Sequence, residues 1–161
     1  WAGILAPTDY RRFALPYVKR VFDAVARCGA RPTGASAPPR IYYAGDCAGW
    51  LESVSEAGAD VVGIDWRIDL ATARRRLGPN LAVQGNLDPA VLLGPREFIE
   101  SRVQDVLREA AGGLEVAGPA AGHVFNLGHG VLPGTRPDHA LSVVEAVRRL
   151  TSRARSAGAA R

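Results

Sequence analysis

The 161-residue chain has no Met, one Lys (Lys19), two Cys and only 7% aromatic residues. Each scarcity removes a class of answer. Cys28 and Cys47 are too few for a disulfide scaffold and lack the paired spacing of a zinc site, so a reducing, cytoplasmic setting is expected. No apolar run approaches the ~20 residues that span a bilayer, and the first residues lack the charge-then-apolar order of a signal peptide. Neither membrane insertion nor secretion is expected. The net charge of +4 comes almost wholly from Arg, 19 of the 20 basic residues, scattered along the helical patterns. No basic stretch is interleaved with stacking aromatics, so a nucleic-acid partner is not expected. Also missing are a phosphate-loop Lys, a Gly-x-Ser-x-Gly elbow and any His, Cys and carboxylate cluster at metal-ligand spacing, so no metal is expected.

What is present points to a globular α/β chain, with 47% hydrophobic residues, 18 Gly and 11 Pro. Four short segments rich in β-branched and aromatic residues predict strands at 41–44, 61–64, 81–84 and 124–127. They are mostly continuous apolar runs, the pattern of parallel strands covered on both faces. Helical patterns follow each one, over 50–57, 70–77, 95–111 and 138–153. Gly58, Gly78 and the Gly112-Gly113 pair stand where the first three should stop. In the third, Phe98, Ile99, Val103, Val106 and Leu107 should face inward; in the fourth, Leu141, Val144, Val147 and Leu150. Upstream, Thr8 should cap a helix running to Cys28 that Pro16 kinks or splits. A Pro, Gly and Ser loop is expected at 31–39 and a fraying tail beyond about residue 155. The opening residues 1–5 read as the end of a buried segment, and the expectation is a piece of a larger protein.

Strand and helix alternate four times, which leaves a doubly wound sheet or part of a (β/α)8 barrel. No Gly-x-Gly-x-x-Gly follows the first strand, against a dinucleotide-binding sheet. Glycine and polar residues follow all four strands: Gly45-Asp46, Asp65-Trp66, Gly85-Asn86-Leu87-Asp88-Pro89 and Gly128-His129-Gly130. A barrel displays its site in this way, at the C-terminal ends of its strands. A full barrel takes about 250 residues, so the fold expected is α/β, a half-barrel of about four parallel strands.

The chemistry gathers at those strand ends. His129, between two glycines, should be exposed to a ligand with both flanking backbones able to approach closely. It is the leading site residue, although a His that only shapes its loop fits the same position about as well. His123 and His139 read as structural. Asp65 stands at a strand end beside Trp66, where it can polarise a ligand or pair with an Arg. Asp46 and Asp65 on successive strand ends allow an acid and base pair. Asn86 reads as a turn-fixing amide and Asp88, before Pro89, as a helix cap. Of Tyr42 and Tyr43, one should face the barrel interior and the other the helices.

Trp1-Ala2-Gly3, Phe13-Ala14-Leu15-Pro16-Tyr17, Val61-Val62-Gly63-Ile64-Asp65-Trp66, Gln84-Gly85-Asn86-Leu87-Asp88-Pro89 and Asn126-Leu127-Gly128-His129-Gly130-Val131-Leu132-Pro133 occur in this order along nearly the whole chain. Together they resemble the C-terminal half of the uroporphyrinogen decarboxylases. The resemblance implies a (β/α)8 barrel, no metal or organic cofactor, a cytoplasmic location and often a homodimer. It further implies removal of the four acetate carboxylates of uroporphyrinogen III to give coproporphyrinogen III. The residue it assigns to the substrate is His129, with Asp65, Asn86, Asn126 and Gly128 as rim or supporting residues. The family's main Asp, Arg and Tyr groups fall outside this chain, so the chain alone is expected to be inactive. Two alternatives are a zinc-dependent methyltransferase acting with a corrinoid protein and a non-catalytic α/β interaction module. The first would carry thiols where this chain has Tyr43-Ala44-Gly45 and His129.

Overall fold

The computed structural model describes residues 2–28, 38–111 and 122–158, with side chains as far as 152. Four strands, β1 (Ile41–Tyr43), β2 (Val61–Gly63), β3 (Ala82–Leu87) and β4 (His123–Leu127), form one sheet in the order β1-β2-β3-β4. Every neighbouring pair is parallel. A doubly wound sheet needs a point where the strand order reverses, and here there is none. This is the winding of a barrel, left open because β1 and β4 each pair on one side only among the described residues.

The helices are α1 (Pro7–Asp9), α2 (Leu15–Cys28), α3 (Leu51–Ser55), α4 (Leu70–Leu77), α5 (Arg96–Ala110) and α6 (Pro137–Gly158), with single 3-10 turns at Ala2–Ile4, Ala48–Trp50 and Pro89–Leu93. They cover one face of the sheet. Tyr42, Val62, Val83 and His123 share a register row, and Val62 and Val83 are fully buried under the helices. The adjacent row, Tyr43, Gly63, Gln84 and Val124, lies on the concave face. On that face Ile41, Tyr43 and Val124 are each 44–47% exposed. Strands covered on both faces were expected; β2 and β3 are well buried, but β1 and β4 alternate, because among the described residues no opposite wall covers their inner side.

Local signals worked where the chemistry is local. Asp69 caps α4 by accepting the Thr72 N–H at 2.7 Å, and Gly78 ends that helix with φ 80°. The expected Thr8 cap fails. Ala6 holds the cap position with no side-chain bond and Pro7 opens α1, where a missing N–H costs nothing. The segment runs helical without a break from Pro7 to Cys28 and is not split by Pro16. A π turn over Tyr10–Ala14 precedes it, with the Leu15 N–H reaching Tyr10 O, and this wider turn relieves the clash of the proline ring with a preceding carbonyl. The expected loop at 31–39 falls mostly outside the described residues, as does the Gly112-Gly113 stop.

Two inward faces need correction. On α5, Ile99, Val103, Val106 and Ala110 are buried, whereas Phe98 is half exposed. On α6, Ser142, Val143 and Ala146 are buried and Val147 and Leu150 pack beside them, while Leu141 and Val144 are 55% and 44% exposed. Helix α6 carries two adjacent apolar stripes. Periodicity shows that each exists, but not which one meets the sheet.

A candidate ligand-binding rim at the strand ends

The loops after the four strands meet at one end of the sheet, and Gly128 is their junction. Its N–H donates to Leu87 O at the end of β3 (2.8 Å), and its carbonyl accepts from the Tyr43 hydroxyl on β1 (2.8 Å). A Cβ built on Gly128 would stand 2.7 Å from Trp66 N and 3.1 Å from Asp65 C, so only glycine fits against the β2 exit. Gly130 has nothing within 4 Å of such an atom. The expectation of two close backbone approaches beside the imidazole therefore holds for one glycine. His129 itself is exposed, with its ring edge-to-face to Trp66 at 6.1 Å between centroids.

The carboxylates do something else. Asp65 is buried; one oxygen accepts the Asp46 N–H at 2.7 Å and the other the Arg67 N–H at 2.9 Å. The Arg67 guanidinium lies 3.3 Å from Asp65 and 2.7 Å from Asp46, and its carbon sits 4.3 Å above the Trp66 ring. A cation thus lies between the two carboxylates. Of the two readings of Asp65, the Arg pairing is the one realised. Asn86 is buried and donates to Asp65 O (3.0 Å) and Ile68 O (2.7 Å), fixing the turn behind the rim. Asp88 caps the following 3-10 turn through Ala90 N at 2.8 Å. Asn126 is exposed, and its side-chain oxygen accepts the Leu127 N–H at 2.9 Å.

The other two histidines, read as structural, are each tied to a backbone carbonyl. His123 bonds Gly85 O at 2.6 Å, and burial pushes its pKa down. His139 bonds Leu92 O at 2.7 Å.

Two hollows flank His129. A cleft of about 740 Å³ over the rim is lined by Gly3, Tyr43, Asp46, Trp66, Arg67, His129 and Leu132 among others. A second hollow of about 480 Å³, on the concave face, is lined by Tyr43, Gly63, Gln84, Asn126, Gly128 and His129 among others. Sequence reasoning missed Arg67 and Gln84. The Gln84 side-chain oxygen is buried without a hydrogen-bond partner in that inner hollow. Its sequence signal was a lone polar residue in an apolar strand, indistinguishable from a strand end.

Cys47 is buried, and burial followed by the nearby Asp65 charge pushes its thiol up to about 12, whereas Cys28 is exposed. One equivalent of thiol should therefore react promptly with a disulfide reagent near pH 8, and Cys28→Ser should abolish that phase. Two fast thiols in the native chain would contradict this burial.

Parallel βα units wound in sequence order, with polar groups gathered at their C-terminal ends, define a barrel-type α/β protein. Residues 1–150 match the family model described as uroporphyrinogen decarboxylase (URO-D), and the chain belongs to that family. It is 50% identical to the uroporphyrinogen decarboxylase of Streptomyces coelicolor and 44% identical to that of Geobacter metallireducens, over 95% of this chain in each case. The aligned part is 39% and 41% of those proteins' lengths, so the chain spans about 40% of these relatives. Among solved structures, a methyltransferase from Methanosarcina mazei superposes with a TM-score of 0.68 at 16% identity, covering 91% of this chain and 38% of that one. That likeness shows the fold alone.

Proposed function

We propose that this chain supplies the His129-bearing half of a barrel that converts uroporphyrinogen III to coproporphyrinogen III. The observation that carries the reading is the family match over residues 1–150, which includes the rim loop that holds His129 exposed at the cleft. The substrate is a polycarboxylate. An imidazole N–H at the rim donates to one of its carboxylates, and the Trp66 face gives the ring a fixed wall. Decarboxylation itself needs a pyrrole protonated at carbon; the C–C bond electrons flow into that ring as carbon dioxide leaves, and a proton takes the vacated position. The cationic ring is stabilised by acidic groups that the family resemblance assigns to strands this chain does not carry. Asp65 is already engaged by two N–H groups and Arg67, so its role is to hold the β1 and β2 loops together. Asn86, Asn126 and Gly128 support the same loops.

In this reading residues 1–155 act as one unit, with α6 continuing three residues past the expected start of the tail to Gly158, the location is the cytoplasm, and the complete barrel pairs with a second copy. No helix among the described residues is long and apolar enough to cross a membrane. A non-catalytic interaction module is the second reading, favoured by the two sheet edges that have no strand partner among the described residues.

The test is a chimera in which this chain follows the portion of the Streptomyces coelicolor relative that it does not match. His129→Ala in that chimera should lower kcat/KM about 10- to 100-fold, the loss of one charge-assisted hydrogen bond, with an unchanged circular dichroism spectrum. Unchanged kinetics would remove His129 from the site. Failure of the chimera to bind any porphyrinogen, although folded, would favour the interaction module.

A further inference from the structure

His129 is exposed, so packing of its own side chain does not fix where the ring points. Its backbone does. Gly128, the residue that leads into it, is held at both its polar groups: its N–H on Leu87 O, and its carbonyl on the Tyr43 hydroxyl, a contact that joins residues 85 apart. Tyr43 reaches that carbonyl by lying across the concave face. This is possible because its neighbour in the same register row is Gly63, where a Cβ would stand 2.8 Å from Tyr43 Cδ2 and 3.0 Å from Tyr43 Cβ. A Cβ on Gly45 would likewise stand 3.3 Å from the Tyr43 hydroxyl oxygen. Two side-chain-free positions therefore leave room for one phenol, and that phenol ends on the carbonyl preceding His129.

We propose that Tyr43 is a positioning residue that sets the direction of the His129 imidazole through the Gly128 carbonyl, with Gly63 as the gap that admits its ring. The hydroxyl stays protonated and donating, since burial and the nearby Asp65 and Asp46 charges push its pKa up. Without the bond the Gly128–His129 peptide loses its tie to β1, although Gly128 N–H stays on Leu87 O, and the His129 ring leaves its edge-to-face station on Trp66. The consequence for carboxylate binding rests on the function proposed above; the clamp itself does not.

The chain has three histidines, and the other two are tied to Gly85 O and Leu92 O, so one spectrum holds a reporter and two controls. In the ¹³C-histidine-labelled 161-residue chain, His129 should show a ring-current displacement from Trp66, which Trp66→Leu removes. Tyr43→Phe should move the His129 resonance toward its Trp66→Leu position while those of His123 and His139 stay in place. Gly63→Ala, which displaces the ring but keeps the hydroxyl, should do the same and guards against a Tyr43 variant that folds poorly. A His129 resonance unmoved in both variants, or three histidines moving together in both, overturns the clamp. Titration of the wild-type chain with benzenehexacarboxylate separates the two claims. A His129 shift there supports carboxylate binding, and its absence counts against the proposed function while leaving the clamp to the variants.

Discussion

The 161-residue chain by itself is expected to produce no measurable coproporphyrinogen from uroporphyrinogen III, while the chimera with the unmatched portion of its Streptomyces coelicolor relative turns over. The reason is geometric. Four strands in sequence order cannot close, so among the described residues the outer edges of β1 and β4 have no strand partner. Ile41, Tyr43 and Val124 line a concave face without an opposite wall. The outer flanks are apolar too: Phe13, Tyr17 and Val21 around α2 are 57–61% exposed, and Leu141 and Val144 on α6 are comparably open. Such surfaces on a chain of this size are covered by association. Sedimentation should therefore find species heavier than the 17.0 kDa chain at micromolar concentration. Turnover by the isolated chain at the rate of a complete relative would refute the dependence on further strands. A stable monomer with a cooperative melt would show that the open edges are tolerated.

The second large effect is expected from glycine to alanine substitutions along the rim, which should divide sharply. Gly85 has φ 133°, and a Cβ there would collide with Ile64 O, the neighbouring backbone. Gly85→Ala should cost about 3 kcal/mol or more, combining left-handed strain with a clash that no side-chain rotation relieves. In the chimera, more than twice as long as this chain, that lowers the melting temperature by roughly 4 °C. Gly128→Ala should be nearly as damaging, since its Cβ would meet Trp66 N at 2.7 Å and spread the β2 and β4 exits that hold His129. Gly130→Ala meets nothing within 4 Å and should change the melt by less than about 0.5 kcal/mol. The measurement is thermal unfolding of the chimera with each substitution. Equal effects at 128 and 130 would mean that the loop does not pack as described.

This contrast shows where sequence reading stops. Gly128 and Gly130 flank the same imidazole and look equivalent along the chain, yet only one meets a neighbour. That neighbour, the Asp65–Trp66 peptide, is more than sixty residues away, and its approach depends on sheet twist and register. Asp65 was legible as a strand-end carboxylate but not as an acceptor saturated by Asp46 and Arg67. Arg67 itself gave no signal, since one Arg among 19 is unremarkable before its guanidinium is seen on an indole.

The order and type of the main elements were written in short-range chemistry: apolar runs for the strands, Asp88 before Pro89 for a cap, Gly78 for a helix end. The sequence alone also determined the parallel winding, because three helical crossovers between four strands leave few other solutions. Tertiary structure alone decided which of two apolar stripes on α6 is buried, which glycines are irreplaceable, and that Tyr43 reaches Gly128. Those outcomes depend on atoms brought within 3 Å across tens of residues, and local propensity does not encode such distances.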